Sequence, residues 1–527
     1  MSELHLPNRI RQLALSQPSA PAVTAEGATL TYAEFDTYTN KVATALAALA
    51  SPPGRIGALL RMGLPGAAAL VGCTKAGLVF TPINWRLTPD EIAWIATDAQ
   101  IGVLIVEADF ADAAHAVAAA LPEVRIIVVG DSAPDGATTW GQLVTSGTDT
   151  DPGLGDDPET ALLQLYTSGT TGKPKGVVAV HRNIYNTPEG LELYEFGNES
   201  VSLDALPLFH IAGSGWLSTS LSAGLHVILL GEMRPPQVAA AIAEYGVTHA
   251  FLVPSAIGML LELPDLDEYD LSSLEIIAYG ASPITPALLE RTMDTLHCRL
   301  VQRYGMTETM GALTALRADD HDPRGPRTHL LRSAGTPLPG TEVQIRDIVT
   351  GEVLPQGETG EIVSRSRNNV TGYWQRDAET AALCTDDGFL RTGDAGHIDE
   401  NGYLFVTDRV KDMIITGGEN VYPVEVEAAL AEHPAVAEVA VVGLPDERWG
   451  EAVTAAVRLV DGVEAPTERE LVAFTTERLA SYKKPQRIHI VGELPRNASG
   501  KILKRTLREI LGPRECDSLG TREGSTP

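Results

Sequence analysis

The sequence predicts an α/β protein with a large N-terminal domain of parallel-rich sheets flanked by helices and a small α+β domain at the C-terminal end. Three observations lead there. The chain has 527 residues, too many for one ordinary core. Short β-branched runs (RIIVVG, HVILLG, THAFLVP, LEIIAYG) alternate with Ala/Leu-rich helical patterns such as KVATALAALA and PPQVAAAIAEYG. After Gly402 the texture changes to a compact succession of separate strand and helix signals.

Taken in order, the opening MSELHLPNRIRQLA lacks the basic-then-apolar order of a secretory signal and reads as the start of a helix. The Gly/Asp-rich segment from Asp131 to Asp157 reads as a surface excursion between elements. The longest uncharged stretch, Ala205 to Gly231, invites comparison with a membrane span, which needs roughly 20 apolar residues. Pro207, His210, His226, four glycines and four serines interrupt it, so it is expected to be a strand, a helix and another strand. Beyond Gly402, the strand YLFVTD leads to the helix PVEVEAALAEHP, the strands AEVAVVGLP and EAVTAAVRLV, the helix ERELVAFTTERLA and a Lys-rich end. The expected domains are 1–408 and 409–512, with 513–527 a disordered tail of little apolar content.

Composition narrows the function. A formal charge of −29 argues against a broad electrostatic footprint for nucleic acid, so polyanionic ligands would have to meet locally gathered Lys and Arg. The cysteines Cys73, Cys298, Cys384 and Cys516 form no CxxC pair and no zinc spacing, which fits a reducing cytoplasm.

The strongest local signal is Tyr166-Thr-Ser-Gly-Thr-Thr-Gly-Lys-Pro-Lys-Gly176, which follows the apolar ALLQL. Such a loop can wrap phosphates, because glycines admit close approach, amides and hydroxyls donate, and Lys173 and Lys175 add charge. It is not a Walker A loop, since only Thr170 and Thr171 separate Gly169 from Gly172 and Pro174 follows the lysine. The segment resembles the signature loop of the adenylate-forming superfamily: acyl-CoA synthetases, luciferases and peptide-synthetase adenylation domains. From about Leu30 to Arg508, further segments are similar to that family's in its order: PLFH ending at His210, YGASP from Tyr279, YGMTE from Tyr304, LRTGD ending at Asp394, DRVKD from Asp408, GGENVYP from Gly417 and PRNASGK ending at Lys501.

The resemblance implies ATP, Mg²⁺ and coenzyme A as ligands, with a small carboxylic acid as the other substrate. Thr167, Ser168, Gly169, Thr170, Thr171, Gly172 and Lys173 would embrace the phosphates. Gly280, Ala281 and Ser282 would border the adenine, although Ser282 could equally cap a strand-to-helix turn. Tyr304, Gly305, Met306 and Thr307 would line the nucleotide, with Thr307 donating to the α-phosphate and Glu308 holding Mg²⁺. Asp394 would accept the ribose hydroxyls and Arg409 would reach the same sugar or its phosphate. Lys501 would stabilise the charge built up as a carboxylate attacks the α-phosphorus. Lys411 matches the hinge, and Gly417, Gly418, Glu419 and Lys483 the CoA side. His210, Ile211, Gly213 and Arg303 would border the acyl pocket.

Arg303 stands where many relatives carry a small residue. QRYGMTET also looks like malonyl-CoA synthetases, in which an arginine can pair with a second substrate carboxylate; the alternative is a salt bridge facing away from the pocket. The apolar run Ile211 to Leu230, GGENVYP and VGLPDERWGE look closer to fatty and aromatic acid ligases. The resulting expectation is a medium- or long-chain fatty acid–CoA ligase, with a dicarboxylate or aromatic acid ligase, or a module loading a carrier protein, as alternatives. A homodimer and peripheral membrane contact are left open.

Overall fold

A computed structural model describes residues 5–153, 157–167, 173–184, 191–282, 284–409, 412–416, 419–446, 448–479, 482–496 and 502–512. The chain divides into two compact units. One runs to Thr392 and includes His397–Phe405; the other comprises Gly393–Gly396 and the chain from Val406 on. The expected tail, 513–527, lies outside the described residues.

The first unit is built on two large mixed sheets. In the nine-stranded one, Pro21–Ala25, His226–Leu229, Val201–Asp204, His249–Leu252, Ile276–Gly280 and Arg299–Met306 run parallel in that spatial order. Ala28–Thr31 closes one rim, and Gly311–Leu316 with Thr336–Pro337 the other, all antiparallel. In the eight-stranded sheet, Thr138–Thr139, Arg125–Val129, Ile101–Glu107, Arg55–Leu59, Val79–Pro82 and Ala161–Thr167 are parallel. Lys175–Val180 and Gly372–Tyr373 extend it antiparallel. The expected parallel core is therefore present with antiparallel rims. The reason is loop length: residues 168–174 are too few for a crossover, so the strands on either side of them must form a hairpin.

Helices start where local chemistry supplies partners for their first amides. Thr31 with Glu34, Thr88 with Glu91 and Thr139 with Gln142 form reciprocal capping boxes, each cap contributing about 1 kcal/mol. The uncharged stretch resolves into the helix Ile211–Ala223 and the strand His226–Leu229, preceded by Val201–Asp204, which starts earlier than expected. Among the described residues no helix is long and apolar enough to cross a membrane. The helix Ile211–Ala223 is buried on opposite sides: Leu217 and Leu221 join the core around Phe35 and Leu70, while Trp216 joins Tyr194 and Phe251 in another. Its small residues make this double burial feasible. A Cβ on Gly213 would lie 2.4 Å from the Pro207 carbonyl oxygen, and Ser220 Oγ pairs with Ser202 Oγ at 2.8 Å.

The Asp131–Asp157 excursion is more structured than expected. It holds the helix Trp140–Ser146, whose Trp140 and Leu143 are buried, with Trp140 Nε1 donating to Tyr38 Oη at 2.8 Å. Two well-spaced apolar side chains suffice to dock so short a helix.

A four-stranded sheet, ordered Thr341–Arg346, Gly360–Ser366, Leu390–Ile398, Leu404–Arg409, leads out of the first unit. In the second unit, Gly450–Leu459 is flanked antiparallel by Val436–Asp446 and, through Thr416, by Ile414–Thr416, and lies parallel to Arg487–Ile490. Pro423–Ala431 and Glu468–Thr476 pack on it through Val426, Leu430 and Leu471.

Candidate functional site

The site in the first unit grows from the sheet ends. Ala161–Thr167 delivers Thr167 to the loop, and Lys175, paired with Thr167 in register, starts the returning strand. Residues Ser168, Gly169, Thr170, Thr171 and Gly172 lie outside the described residues. Exposed Lys173 holds its Nζ 5.2 Å from the Trp94 ring centroid, and Lys175 Nζ lies 5.1 Å from that of Tyr373.

On the facing edge, Ile276–Gly280 ends in Ala281 with φ of 66°, a left-handed backbone uncommon for a residue with a Cβ. The turn is thus a bent one presenting small groups. Ser282 is exposed and does not cap the following helix. Thr285 does, accepting from the Leu288 amide, because it stands immediately before Pro286 at the first helical position. Beside this turn, Arg299–Met306 carries Tyr304, Gly305 and Met306 to the same end of the sheet and passes into a single turn at Thr307–Thr309. Gly305 is required there: a Cβ would fall 1.9 Å from the Gly311 carbonyl oxygen.

One cavity of about 100 Å³ joins these segments to the acid-binding candidates. It is lined by Ala281, Gly305 and Met306 on one side and by Ile211, Trp216 and Phe251 on the other, with Arg303 also in its wall. Gly213 is not part of that wall, since it packs on Leu206 and Pro207. Arg303 Nη1 donates to Tyr194 Oη, and its guanidinium carbon is 5.5 Å from the Tyr194 ring centroid. Its Nε is buried without a partner. No salt bridge to Arg303 is found among the described residues, and its side chain lines the cavity.

His210 precedes the helix Ile211–Ala223 and packs on Phe209 with ring centroids 4.7 Å apart, although much of the residue is exposed to solvent. Loss of hydration in this recess, and secondarily the charge of Arg86, hold its pKa down to about 4. It is a neutral imidazole at physiological pH. Asp204, one strand-end away in sequence, is fully buried; its Oδ1 accepts from the Leu206 amide at 3.2 Å while Oδ2 has no partner, and burial pushes its pKa well above the carboxylate range.

Glu308 is buried, and its Oε1 accepts a 2.8 Å hydrogen bond from the Tyr373 hydroxyl. Its Oε2 makes no hydrogen bond among the described residues. No cluster of three or more His, Cys, Asp or Glu suited to a metal exists among those residues. A single carboxylate with one oxygen free suits Mg²⁺, which is commonly held by one or two carboxylates together with substrate phosphates.

In the second unit, Asp394 is buried within Leu390–Ile398. Arg409 ends the strand Leu404–Arg409, and Glu419 begins Glu419–Val421. Lys483 is ion-paired with Glu425. Lys411, Gly417, Gly418 and Lys501 lie outside the described residues. Tyr373, Trp216 and Tyr194 escaped the sequence reading. TGYWQR offered a signal for the first, but the other two are brought to the cavity only by packing.

The AMP-binding enzyme model matches residues 10–374, and the AMP-binding enzyme C-terminal domain matches residues 425–501. The chain is 40% identical to the fatty acid–[acyl-carrier-protein] ligase ScoC of Streptomyces coeruleorubidus, covering 94% of each chain. It is 36% identical to the indoleacetate–CoA ligase of Aromatoleum aromaticum, over 94% of this chain and 96% of that one. The solved structure of ATP-bound MatB from Rhodopseudomonas palustris is similar with a TM-score of 0.85 at 30% identity, covering 96% of this chain and 98% of that one. The chain belongs to the AMP-binding enzyme family, the adenylate-forming enzymes, and is an AMP-forming acyl-CoA synthetase.

Proposed function

We propose that the protein joins an acid of few carbons, bearing a second acidic group, to the thiol of coenzyme A, with ATP converted to AMP and diphosphate. The reading is carried by one observation: one small cavity is bordered at once by the nucleotide-type segments Ala281 and Gly305–Met306, by apolar side chains, and by an arginine that has no carboxylate partner among the described residues. Arg303 is half-buried with its Nε buried and unpartnered among the described residues, a cost that a substrate carboxylate would relieve. The cavity, about 100 Å³, is smaller than the roughly 150 Å³ that admits benzene in an apolar core. The short diacid proposed here in place of the medium or long chains that the sequence suggested rests on Arg303 in the cavity wall.

In the first half-reaction the acid's carboxylate oxygen attacks the α-phosphorus of ATP and diphosphate leaves. Thr167–Lys173 and Thr307 would hold the phosphates, Gly280–Ser282 and Tyr304–Met306 the base, and Asp394 and Arg409 the ribose. Lys501 would stabilise the pentacoordinate charge. Glu308 would hold Mg²⁺, which when bound neutralises phosphate charge. In the second half-reaction the thiol sulfur attacks the acyl carbon and AMP departs. Residues from about 409 would form a mobile domain pivoting at Lys411, presenting Lys501 first and Gly417, Gly418 and Glu419 afterwards. Lys483 would need to leave Glu425 to meet CoA phosphates. Neutral His210 would act as a gate at the acyl pocket, not as a base.

The carrier-loading relative favours a second reading, in which the thiol belongs to a carrier protein's phosphopantetheine. The test is acid-dependent AMP and diphosphate release with ATP and Mg²⁺, with and without CoA, across acetate, malonate, succinate, octanoate, palmitate and a cinnamate-type acid. CoA-dependent turnover with a short diacid supports the proposal. Turnover with palmitate alone overturns the substrate assignment, and adenylate formation without any CoA thioester favours the carrier reading.

A further inference from the structure

The segment Arg367–Arg376 touches Glu308 twice. The Val370 amide donates to the Glu308 carbonyl oxygen at 3.0 Å, and the Tyr373 hydroxyl donates to Oε1 at 2.8 Å. Tyr373 is itself fixed by the sheet. It pairs with Val177 on the strand that leaves the phosphate loop, its amide donates to Thr380 Oγ1 at 2.9 Å, and the next residue, Trp374, donates its amide to Gly176 at 2.7 Å. Trp374 Nε1 and the Arg376 guanidinium bond to the backbone oxygen and Oδ1 of Asp98, at 2.9 and 2.5 Å, while Asp98 Oδ2 accepts from Tyr166, the first residue of the loop motif.

We propose that Tyr373 is a positioning residue that fixes the Glu308 carboxylate for Mg²⁺ and ties it to the phosphate-loop hairpin. The proposal rests on the reading of Glu308 as the metal carboxylate. A carboxylate on a freely rotating side chain would have to be ordered as the metal bound; occupying Oε1 with a fixed donor, while Oε2 makes no hydrogen bond among the described residues, lowers that ordering cost. Because Lys175 lies 5.1 Å from the same ring, one aromatic side chain touches both the metal carboxylate and a cation of the phosphate loop.

The test measures Mn²⁺ bound in the presence of ATP, by the loss of free-ion electron paramagnetic resonance signal, for the wild type, Tyr373→Phe and Glu308→Gln. Affinity for an acyl-sulfamoyl-adenosine, which mimics the adenylate without needing metal, and the melting temperature are recorded alongside. Tyr373→Phe is expected to weaken Mn²⁺ binding roughly 10-fold or more, as outer-shell partners of metal ligands commonly do, with the analogue's affinity and the melting temperature unchanged. If Tyr373→Phe binds Mn²⁺ like the wild type while Glu308→Gln does not, the positioning role is overturned and the Glu308 reading stands. If Glu308→Gln binds Mn²⁺ normally, the Glu308 reading itself fails. Parallel losses of metal, analogue and thermal stability in Tyr373→Phe would make Tyr373 a packing residue and overturn the proposal.

Discussion

Replacing Arg303 separates recognition of the acid from its activation. In the wild type, Nη1 is committed to Tyr194 while the buried Nε has no partner, leaving Nε and Nη2 as a two-pronged donor for a carboxylate. A hydrogen bond to a charged group contributes about 1.5–3 kcal/mol. Losing two such bonds costs about 3–6 kcal/mol, or roughly 10²–10⁴-fold in kcat/KM for a diacid. Arg303→Ala also removes packing, so Arg303→Met, which keeps most of the volume, serves as the companion variant. Diphosphate release is measured for a diacid and for its monomethyl ester, which has similar shape but one carboxylate fewer. The expected result is a collapse of diacid turnover in both variants, with the ester changed little. Equal losses for diacid and ester would refute the reasoning and make Arg303 a structural brace for Tyr194.

Trp216 joins the cavity wall and donates from Nε1 to the Leu203 carbonyl at 3.1 Å; Trp216→Ala should shift kcat/KM toward longer acids while costing about 3–5 kcal/mol in chemical denaturation. His210 should show an imidazole NMR titration near pH 4, and thioester formation should show no His210-dependent inflection between about pH 5.5 and 8. His321 is buried, and its pKa is held at about 4 chiefly by burial. The unfolded chain, titrating near 6.5, takes up this proton first, so the contribution of about 3 kcal/mol is full above pH 6.5 and is lost as pH falls toward 4; His321→Gln should flatten that part of a denaturation-versus-pH curve. Asp204 has the opposite sign: its raised pKa means the unfolded chain releases the proton first, so its contribution is lost as pH rises above the ordinary carboxylate range. Asp204→Asn should therefore raise the melting temperature more at pH 8 than at pH 5.

Much of this molecule was legible before folding. Strand periodicity located Arg125–Val129, His226–Leu229, His249–Leu252 and Ile276–Gly280 but not Val201–Asp204 or Ile101–Glu107, and the Gly/Ser/Thr/Lys loop motif stood out because its residue spacing is a local property. Ser282 was ambiguous because a cap depends on where the helix begins, and Pro286 sets that start at Thr285. The segment Asp131–Asp157 is more structured than its composition suggests because Trp140 docks against Tyr38, more than a hundred residues away. The environment of Arg303 was undecidable for the same reason: the presence or absence of a nearby carboxylate is a fact about Tyr194, Trp216 and Phe251 converging from distant strands and helices.

The double burial of Ile211–Ala223 has a practical consequence for anyone reshaping substrate choice. A mutational library spread evenly along this helix would waste many of its members, since Gly213, Leu217 and Ser220 pack away from the cavity wall. The productive positions follow a helical stripe, Ala212, Gly215, Trp216 and Thr219, each bordering the cavity. Randomising that stripe together with Arg303 concentrates sampling on the cavity wall, whereas Trp216 and Phe251 also belong to a buried core and tolerate only large apolar replacements.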